Sequence, residues 1–366
     1  MNKLVAYLRI LKSLMKDFVH IQRSGKGKTV SRFRKYCKLR FSKKMMVEEF
    51  LNYEQALKDE SFSKTFLTFR EACVYWKVLN PSRYAVLAKD KYMSHLLLEK
   101  ANIPTPELYA YYHPEMGNSD YESLRRDLES KKVTSCVIKP AVDGAHGAGV
   151  FVCKKIEFTP EDCILVKSNG EQLSLREFCK QNTHTSWLFE SIVRQSEQIG
   201  RINQSSVNTV RFMTALYPDK SVKVFATFMK IGRAGSDVDN AGSGGNVDCA
   251  VNTETGECYN VLQFNSYSDV RKVDNHPDSS ERINGMRIKN WEDIKKCLCD
   301  YQARIPQLKA IGWDVALTEN GPVIIEINNY WDTTGQLFLG RGWRNEVKEC
   351  YEAWKEYYDN LKTTNK

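Results

Sequence analysis

Asp314, Glu326 and Asn328 are oxygen-bearing side chains at a spacing that can hold a hard cation. They belong to two largely apolar segments, Gly312 to Leu317 and Val323 to Asn328, joined by Thr318 to Pro322 with an Asn320-Gly321 turn signal. That pattern reads as a β-hairpin. With Glu319-Asn320-Gly321 as a three-residue loop and Gly321 left-handed, cross-strand partners have numbers summing to 640, and Asp314 lies opposite Glu326. Trp313, Val315 and Leu317 then face Ile327, Ile325 and Val323 on an apolar side, while Asp314, Glu326 and Asn328 share the other. Opposed carboxylates, with β-carbons about 5 Å apart, destabilise a strand pair unless something neutralises them. A divalent cation does so, and an all-oxygen donor set suits magnesium, which completes its shell with water and substrate phosphates. The competing reading is a solvated hairpin face, but three oxygen donors on one face favour metal and direct attention to a nucleoside triphosphate. Asp314→Asn or Glu326→Gln is then expected to abolish magnesium-dependent turnover with folding intact.

Phosphate needs cations and exposed N–H groups, and several segments can supply them. Cys136 to Pro140 reads as a strand, followed by the glycine loop Gly144-Ala145-His146-Gly147-Ala148-Gly149 and a second strand from Val150 to Cys153. Strand, loop, strand excludes the dinucleotide fingerprint, which needs a helix after its glycines. What remains is a hairpin tip able to close over phosphates, with Lys139 at its base. Lys91 falls in the first turn of a helix from Asp90 to Ala101, capped by Asp90, where a cation opposes the helix dipole and calls for another partner. Leu188 to Val193 reads as a buried strand whose backbone can read an adenine edge. In Thr209 to Met213, alternation puts Arg211 on one face with Thr209 and Met213; a salt bridge or a nucleotide phosphate would satisfy it. Val222 to Ile231 is a further strand, and the polar, glycine-rich stretch Gly232 to Gly245 after it reads as a substrate lid. Gly25-Lys26-Gly27-Lys28-Thr29 lacks both the earlier glycine and the preceding strand of a P-loop, and reads as a charged linker.

At 366 residues, with 42% hydrophobic and 27% charged residues, the chain is globular and long enough for two or three domains. No uninterrupted apolar run reaches membrane-spanning length. The expected organisation is a basic helical region over 1–82, ending near Asn80-Pro81, a subdomain with the glycine loop over 83–186, and a subdomain with the metal site and a C-terminal helix over 187–366. Eleven scattered cysteines without a Cys-x-x-Cys pair indicate a reduced, cytoplasmic protein, and six histidines without ligand spacing argue against zinc. Net charge is +9, yet residues 1–44 alone hold 14 Lys or Arg against the single acid Asp17, while the remainder is mildly acidic at 40 against 44. Leu4, Leu8, Leu11, Met15 and Phe18 recur at helical spacing among basic residues. Packing of that stripe on the body of the protein is the favoured reading. Peripheral contact with the anionic inner face of a membrane stays open because of the basic stretch Arg32 to Lys44, and nucleic acid is disfavoured for want of a base-reading motif.

The order Lys139 with its glycine loop, Arg211, Asp314 and Glu326-x-Asn328 resembles the ATP-grasp superfamily of ligases. Asn208-Thr209-Val210-Arg211, Val238-Asp239-Asn240 and Gly312-Trp313-Asp314-Val315-Ala316 make the sugar-transfer-associated branch the nearest, over roughly residues 84 to 340. The resemblance implies an α+β ATP-grasp fold in which two α+β subdomains grip ATP. It implies Lys91 and Lys139 on the phosphates, Gly144 to Gly149 covering them, and Glu190, Ser191, Ile192 and Val193 lining the adenine pocket. Mg²⁺ would rest on Asp314, Glu326 and Asn328, with Lys139, Arg211 and Arg233 as catalytic cations and Arg233, Asp239 and Asn240 as substrate contacts. The implied reaction joins a carboxylate to an amine through an acylphosphate, on a sugar acid or amino acid of a cell-surface polysaccharide precursor. A sugar or polyol kinase, or a non-catalytic nucleotide-binding subunit of a membrane assembly, are the alternatives.

Overall fold

The computed structural model describes residues 3–25, 27–117, 120–142, 149–239, 244–266 and 269–364. The fold is α+β, built on two antiparallel sheets. Strands β1 (Leu108–Tyr112), β2 (Cys136–Pro140), β3 (Phe151–Phe158), β4 (Cys163–Lys167), β5 (Gln172–Ser174) and β6 (Trp187–Glu190) form the first, in the order β1-β6-β2-β3-β4-β5. Strands β7 (Thr209–Leu216), β8 (Val222–Ile231), β9 (Asn246–Val251), β10 (Cys258–Ser266), β11 (Asp269–Lys272), β12 (Ala310–Thr318) and β13 (Gly321–Asn328) form the second, in the order β11-β10-β9-β8-β7-β12-β13.

Period-two alternation decides what each wall presents. In the first sheet Cys136, Ile138, Cys153 and Phe189 bury one face against the helices Tyr121–Ser130 and Leu175–Gln181. Val137, Lys139, Val152 and Lys154 emerge on the other, toward a cleft. The second sheet is buried on both faces. Val210, Phe212, Met229, Trp313 and Val315 pack with the helix Trp291–Arg304 on one side. Met213, Ala215, Phe228 and Ala310 pack with the helices Phe69–Leu79 and Arg344–Thr364 on the other. Along β7 this second face changes from core at Ala215 and Met213 to cleft at Arg211 and Thr209, so one strand builds both.

The β12–β13 hairpin forms with a different turn from the one its sequence suggests. Thr318 pairs with Gly321, leaving a two-residue Glu319-Asn320 loop, and Gly321 takes φ +111° as the first strand residue. The register shifts again between Asp314 and Val315, with Ile325 as the extra residue of a bulge, so Val315 meets Ile324 and Leu317 meets Pro322. The two offsets cancel, and Asp314 lies opposite Glu326 as expected. Ile325 is thereby taken off the apolar face and lines the cleft. Trp313, Val315, Ile324 and Ile327 are fully buried, each contributing about 1.5–3 kcal/mol.

The expected division near Asn80-Pro81 is not a linker. Asn80 is fully buried; its Nδ2 donates to the carbonyls of Ala310 and Asn329, and its Oδ1 accepts from the amides of Lys309 and Ala310. A side chain that satisfies four backbone groups of the second sheet joins the preceding helix to it rather than separating them. The edges of the middle region move as well. Ala88, Leu98 and Ile103 belong to the core of the second sheet, and β6 at 187–190 belongs to the first.

The N-terminal helix Lys3–Arg23 also departs from expectation. It packs through Ile21, which is fully buried, through Asp17, which accepts from Tyr36 and Arg40, and through Ser13, which accepts from Arg40. Leu8, Leu11 and Met15 lie on the opposite side and are 57%, 57% and 65% exposed. The partly buried acid Asp17 decides which face turns inward, because its partners stand on the helix Thr29–Lys43. Gly25 and Gly27, both at positive φ, turn the chain between these helices, in keeping with a linker. Among the described residues no helix is long and apolar enough to cross a membrane.

Candidate active site

A cavity of about 850 Å³ lies between the sheets, a size that suits a nucleotide. From the second sheet it is lined by Arg211, Lys230, Asp314, Ile325, Glu326 and Asn328. β12 runs between β7 and β13, so Asp314 has Glu326 across one ladder and Arg211 across the other. The opposing carboxylates are therefore neutralised by side chains of this chain. Arg211 binds Asp314 in a two-pronged pair, Nε to Oδ1 at 2.7 Å and Nη2 to Oδ2 at 2.8 Å. Lys230 Nζ stands 2.9 Å from Asp314 Oδ1. Glu326 lies 3.4 Å from Lys91 Nζ, and its side chain is 34% exposed.

Burial alone would raise the Asp314 carboxyl, but Arg211 and Lys230 outweigh it and hold it far below the usual carboxylate range. Burial likewise opposes the charge on Arg211 and on Lys230, and nearby carboxylates reverse it: Asp314 for Arg211, Asp239 and Asp314 for Lys230. Both stay charged. Asp239 differs, for burial raises its carboxyl despite Lys230 at 3.9 Å and hydrogen bonds from the Thr209 amide and hydroxyl at 2.8 and 2.5 Å.

The first sheet contributes Lys139 and Glu190. They form a buried pair at 2.7 Å, held side by side on β2 and β6. After Glu190 the chain crosses between the sheets. Ser191 donates its amide to Glu107 and accepts from the Glu107 amide through Oγ. Ile192 and Val193 line the cavity, and among the described residues no backbone hydrogen bond engages either one. A free amide and carbonyl at the edge of an apolar slot are what a purine edge requires. Lys91, whose helix is capped by Asp90, bonds Ala141 through its amide and extends its ammonium to Glu326.

Sequence reasoning did not single out Lys230, Asp237 or Lys154, all of which line the cavity. Lys230 had a signal: a lysine next to the end of β8 after the apolar Phe228-Met229, directly across from Thr209 and two residues past the partner of Arg211. Asp237 belongs to a strap between the walls. Its carboxylate accepts from the Val152 amide at 3.2 Å and from Ser168 at 2.6 Å on the first sheet. The strap is anchored near the second sheet at Gly232, whose carbonyl contacts His276 at 3.0 Å, and at the Thr209 bonds of Asp239. A Cβ at Gly232 would come within 2.2 Å of Ser206 Oγ, so only glycine fits.

Arg233 is not a cleft residue. It makes a two-pronged pair with Asp278, at 2.7 and 2.8 Å, and donates to the Gly245 carbonyl. The Asp278 carboxylate holds the guanidinium away from the residues that line the cavity, where the sequence had grouped it with them. Asp239 lines the cavity with its carboxylate committed to Thr209. Gly144, Ala145, His146, Gly147 and Asn240 lie outside the described residues. Gly149, at φ +79°, rests against Trp187 and Pro140.

The donor chemistry at β12–β13 suits magnesium: two carboxylates and the Asn328 amide, whose Nδ2 makes two long bonds to Gly312 and Asp314 and so leaves Oδ1 for a ligand. Among the described residues no cluster of three His, Cys, Asp or Glu side chains could hold a metal.

Among solved structures, the chain is similar to the ATP-grasp ligase PsnB complexed with minimal precursor, Mg and ADP, at 14% identity, 76% of this chain, 62% of that one and TM-score 0.38. It is similar to the D-alanine-D-alanine ligase of Coxiella burnetii at 10% identity, 76% of this chain, 61% of that one and TM-score 0.43. The VanG D-Ala:D-Ser ligase of Enterococcus faecalis gives 12% identity, 73%, 62% and TM-score 0.44. The chain thus spans less than two thirds of the length of each of these proteins. No curated protein matches the sequence. The family described as sugar-transfer associated ATP-grasp matches residues 70–351, which include both sheets and every cleft residue named above, and the chain belongs to that family.

Proposed function

We propose that the protein is an ATP-dependent carboxylate–amine ligase acting through an acylphosphate. The observation that carries this reading is the single cavity lined at once by the free backbone of Ile192 and Val193, by Lys139 and Lys91, and by Arg211, Lys230, Asp314, Glu326 and Asn328. Adenine would lie along Ile192 and Val193, and the phosphates would reach toward Lys139 and Lys91. Asp314, Glu326 and Asn328 would hold magnesium, which would supply positive charge against that of the phosphates. Each cation on the cleft floor already has a carboxylate partner, so phosphate binding becomes an exchange of partners rather than the burial of new charge. Arg211 and Lys230 are kept charged by their carboxylate partners, and phosphate oxygens would take that place, so both can stabilise charge on the transferring phosphoryl group. No covalent nucleophile is required.

The family's association with sugar transfer supports a sugar acid or amino acid of a cell-surface polysaccharide precursor as the acceptor of phosphate. The test is a screen of carboxylate and amine pairs with ATP and magnesium. Release of ADP and phosphate that depends on both partners, with an amide product, fits the proposal. A stable phosphoester without phosphate release would replace it with a kinase.

A further inference from the structure

We propose that the N-terminal helix docks this protein on an anionic lipid surface, an inference independent of the ligase reading. Nine of the twenty exposed large hydrophobic side chains of the described chain fall within residues 5–41, so exposure is concentrated there. In the helix Lys3–Arg23, Leu8, Leu11, Met15 and Val19 follow one another at three- and four-residue spacing and form a ridge directed away from the protein. Packing Ile21, Asp17 and Ser13 against the next helix fixes that direction, so the ridge cannot turn inward without breaking the Asp17 contacts with Tyr36 and Arg40.

Lys12, Lys16 and Arg23 border the ridge, exposed and, among the described residues, without an ion pair. On the next helix, Arg34 and Lys38 are exposed and, among the described residues, make no ion pair within 4 Å, on the side that carries the exposed Val30 and Phe41. The one acid of the segment, Asp17, is consumed by Arg40 and offsets none of these charges. An apolar ridge of Leu, Met and Val with basic borders matches the boundary between acyl chains and anionic headgroups. Nucleic acid would use the cations and leave the ridge in water. A second copy of the chain would cover the ridge but bring two basic borders together. Lipid satisfies both features.

The test is sedimentation of the full-length protein with vesicles of phosphatidylcholine alone or mixed with phosphatidylglycerol. The expected result is binding to the mixed vesicles that weakens with salt, and a loss of about tenfold or more in Leu11→Ser/Met15→Ser and in Lys12→Glu/Lys16→Glu. All four positions are exposed, and an unchanged melting curve verifies that the fold persists. Equal binding to both vesicle types, or full binding by the serine variant, would overturn the proposal. So would a dimer in solution that the serine variant dissociates, or duplex DNA binding that the serine variant retains while vesicles bind neither protein.

Discussion

The two walls of the cleft solve the same electrostatic problem in different ways. On the first sheet one cation meets one carboxylate, Lys139 with Glu190, and both are buried. On the second, one carboxylate meets two cations, Asp314 with Arg211 and Lys230, while Glu326 keeps a longer, half-open contact with Lys91. A balanced buried pair is mainly structural until a ligand competes for it. A carboxylate shared between two cations holds positive charge in reserve, which is what a phosphoryl group developing negative charge can use. Within the second wall, Asp314 and Glu326 are cross-strand partners in different states: Asp314 is held by two cations that a phosphate would first have to draw away, and Glu326 is accessible from the start.

The largest expected effect tests that hold on Asp314. Asp314→Asn would leave Arg211 and Lys230 buried without their shared anion, and denaturant unfolding should show a loss of about 3–5 kcal/mol. This departs from the sequence-based expectation of intact folding, because facing away from the apolar side does not mean facing solvent: Asp314 is only 4% exposed. Adding Lys230→Met should recover part of the lost stability without restoring turnover. If Asp314→Asn is as stable as the parent, the reserve-charge account of the second wall fails.

Glu326→Gln is the cleaner probe of the same strand pair. Its contact with Lys91 is long and partly open, so stability should change by less than about 1 kcal/mol. Magnesium-dependent ATP turnover should fall by at least about a hundredfold. Equal losses of stability in the two variants would erase the distinction between the held and the accessible carboxylate.

The first wall calls for a paired comparison, since removing Lys139 alone strands Glu190. In a Glu190→Gln background, adding Lys139→Met should weaken ATP binding by about tenfold in titration calorimetry, the worth of one charge-assisted hydrogen bond. A background variant that already binds no ATP would assign the first wall's contribution to Glu190 instead.

Much of this site was legible because short-range rules govern it. The Asn320-Gly321 signal and alternating residues place Asp314 against Glu326, even though the turn is one residue shorter and a bulge at Ile325 restores the register. The strand, loop, strand order around Lys139 was equally local. Arg211 was recognised as needing an anion, but its partner could not be read, because only the sheet order sets β7 beside β12, some hundred residues away. Lys230 stands next to the end of β8, and without the neighbouring strands its side chain has no direction. The position of Arg233 was hidden for a related reason. A charged loop residue says nothing of its partner, and Asp278 lies 45 positions further on. The N-terminal stripe was visible as amphipathic, yet the single acid that turns it outward counted in the sequence only as one charge among many.

The smallest expected effect concerns the strap that joins the walls. His276 contacts the Gly232 carbonyl through Nε2 and Ser279 through Nδ1, with Asp278 and Arg233 close by. Burial lowers its pKa below the ordinary histidine value, against the Gly232 bond and Asp278, which raise it. The unfolded chain therefore takes up this proton first as pH falls, at about 6.5, and the folded state resists until lower pH. Stability contributed by neutral His276 is fully present above that value and declines below it, which weakens the attachment of the strap to the second wall. His276→Gln removes the titration, so its denaturation midpoint should drop less than that of the parent between neutral and mildly acidic conditions. The protection of amides 233–239 against hydrogen exchange, corrected for the intrinsic rate at each pH, should fall on acidification in the parent and much less in the variant. Identical pH profiles would show that the strap is held by Asp237 on the first wall and by the Asp239–Thr209 bonds, with His276 a passive contact.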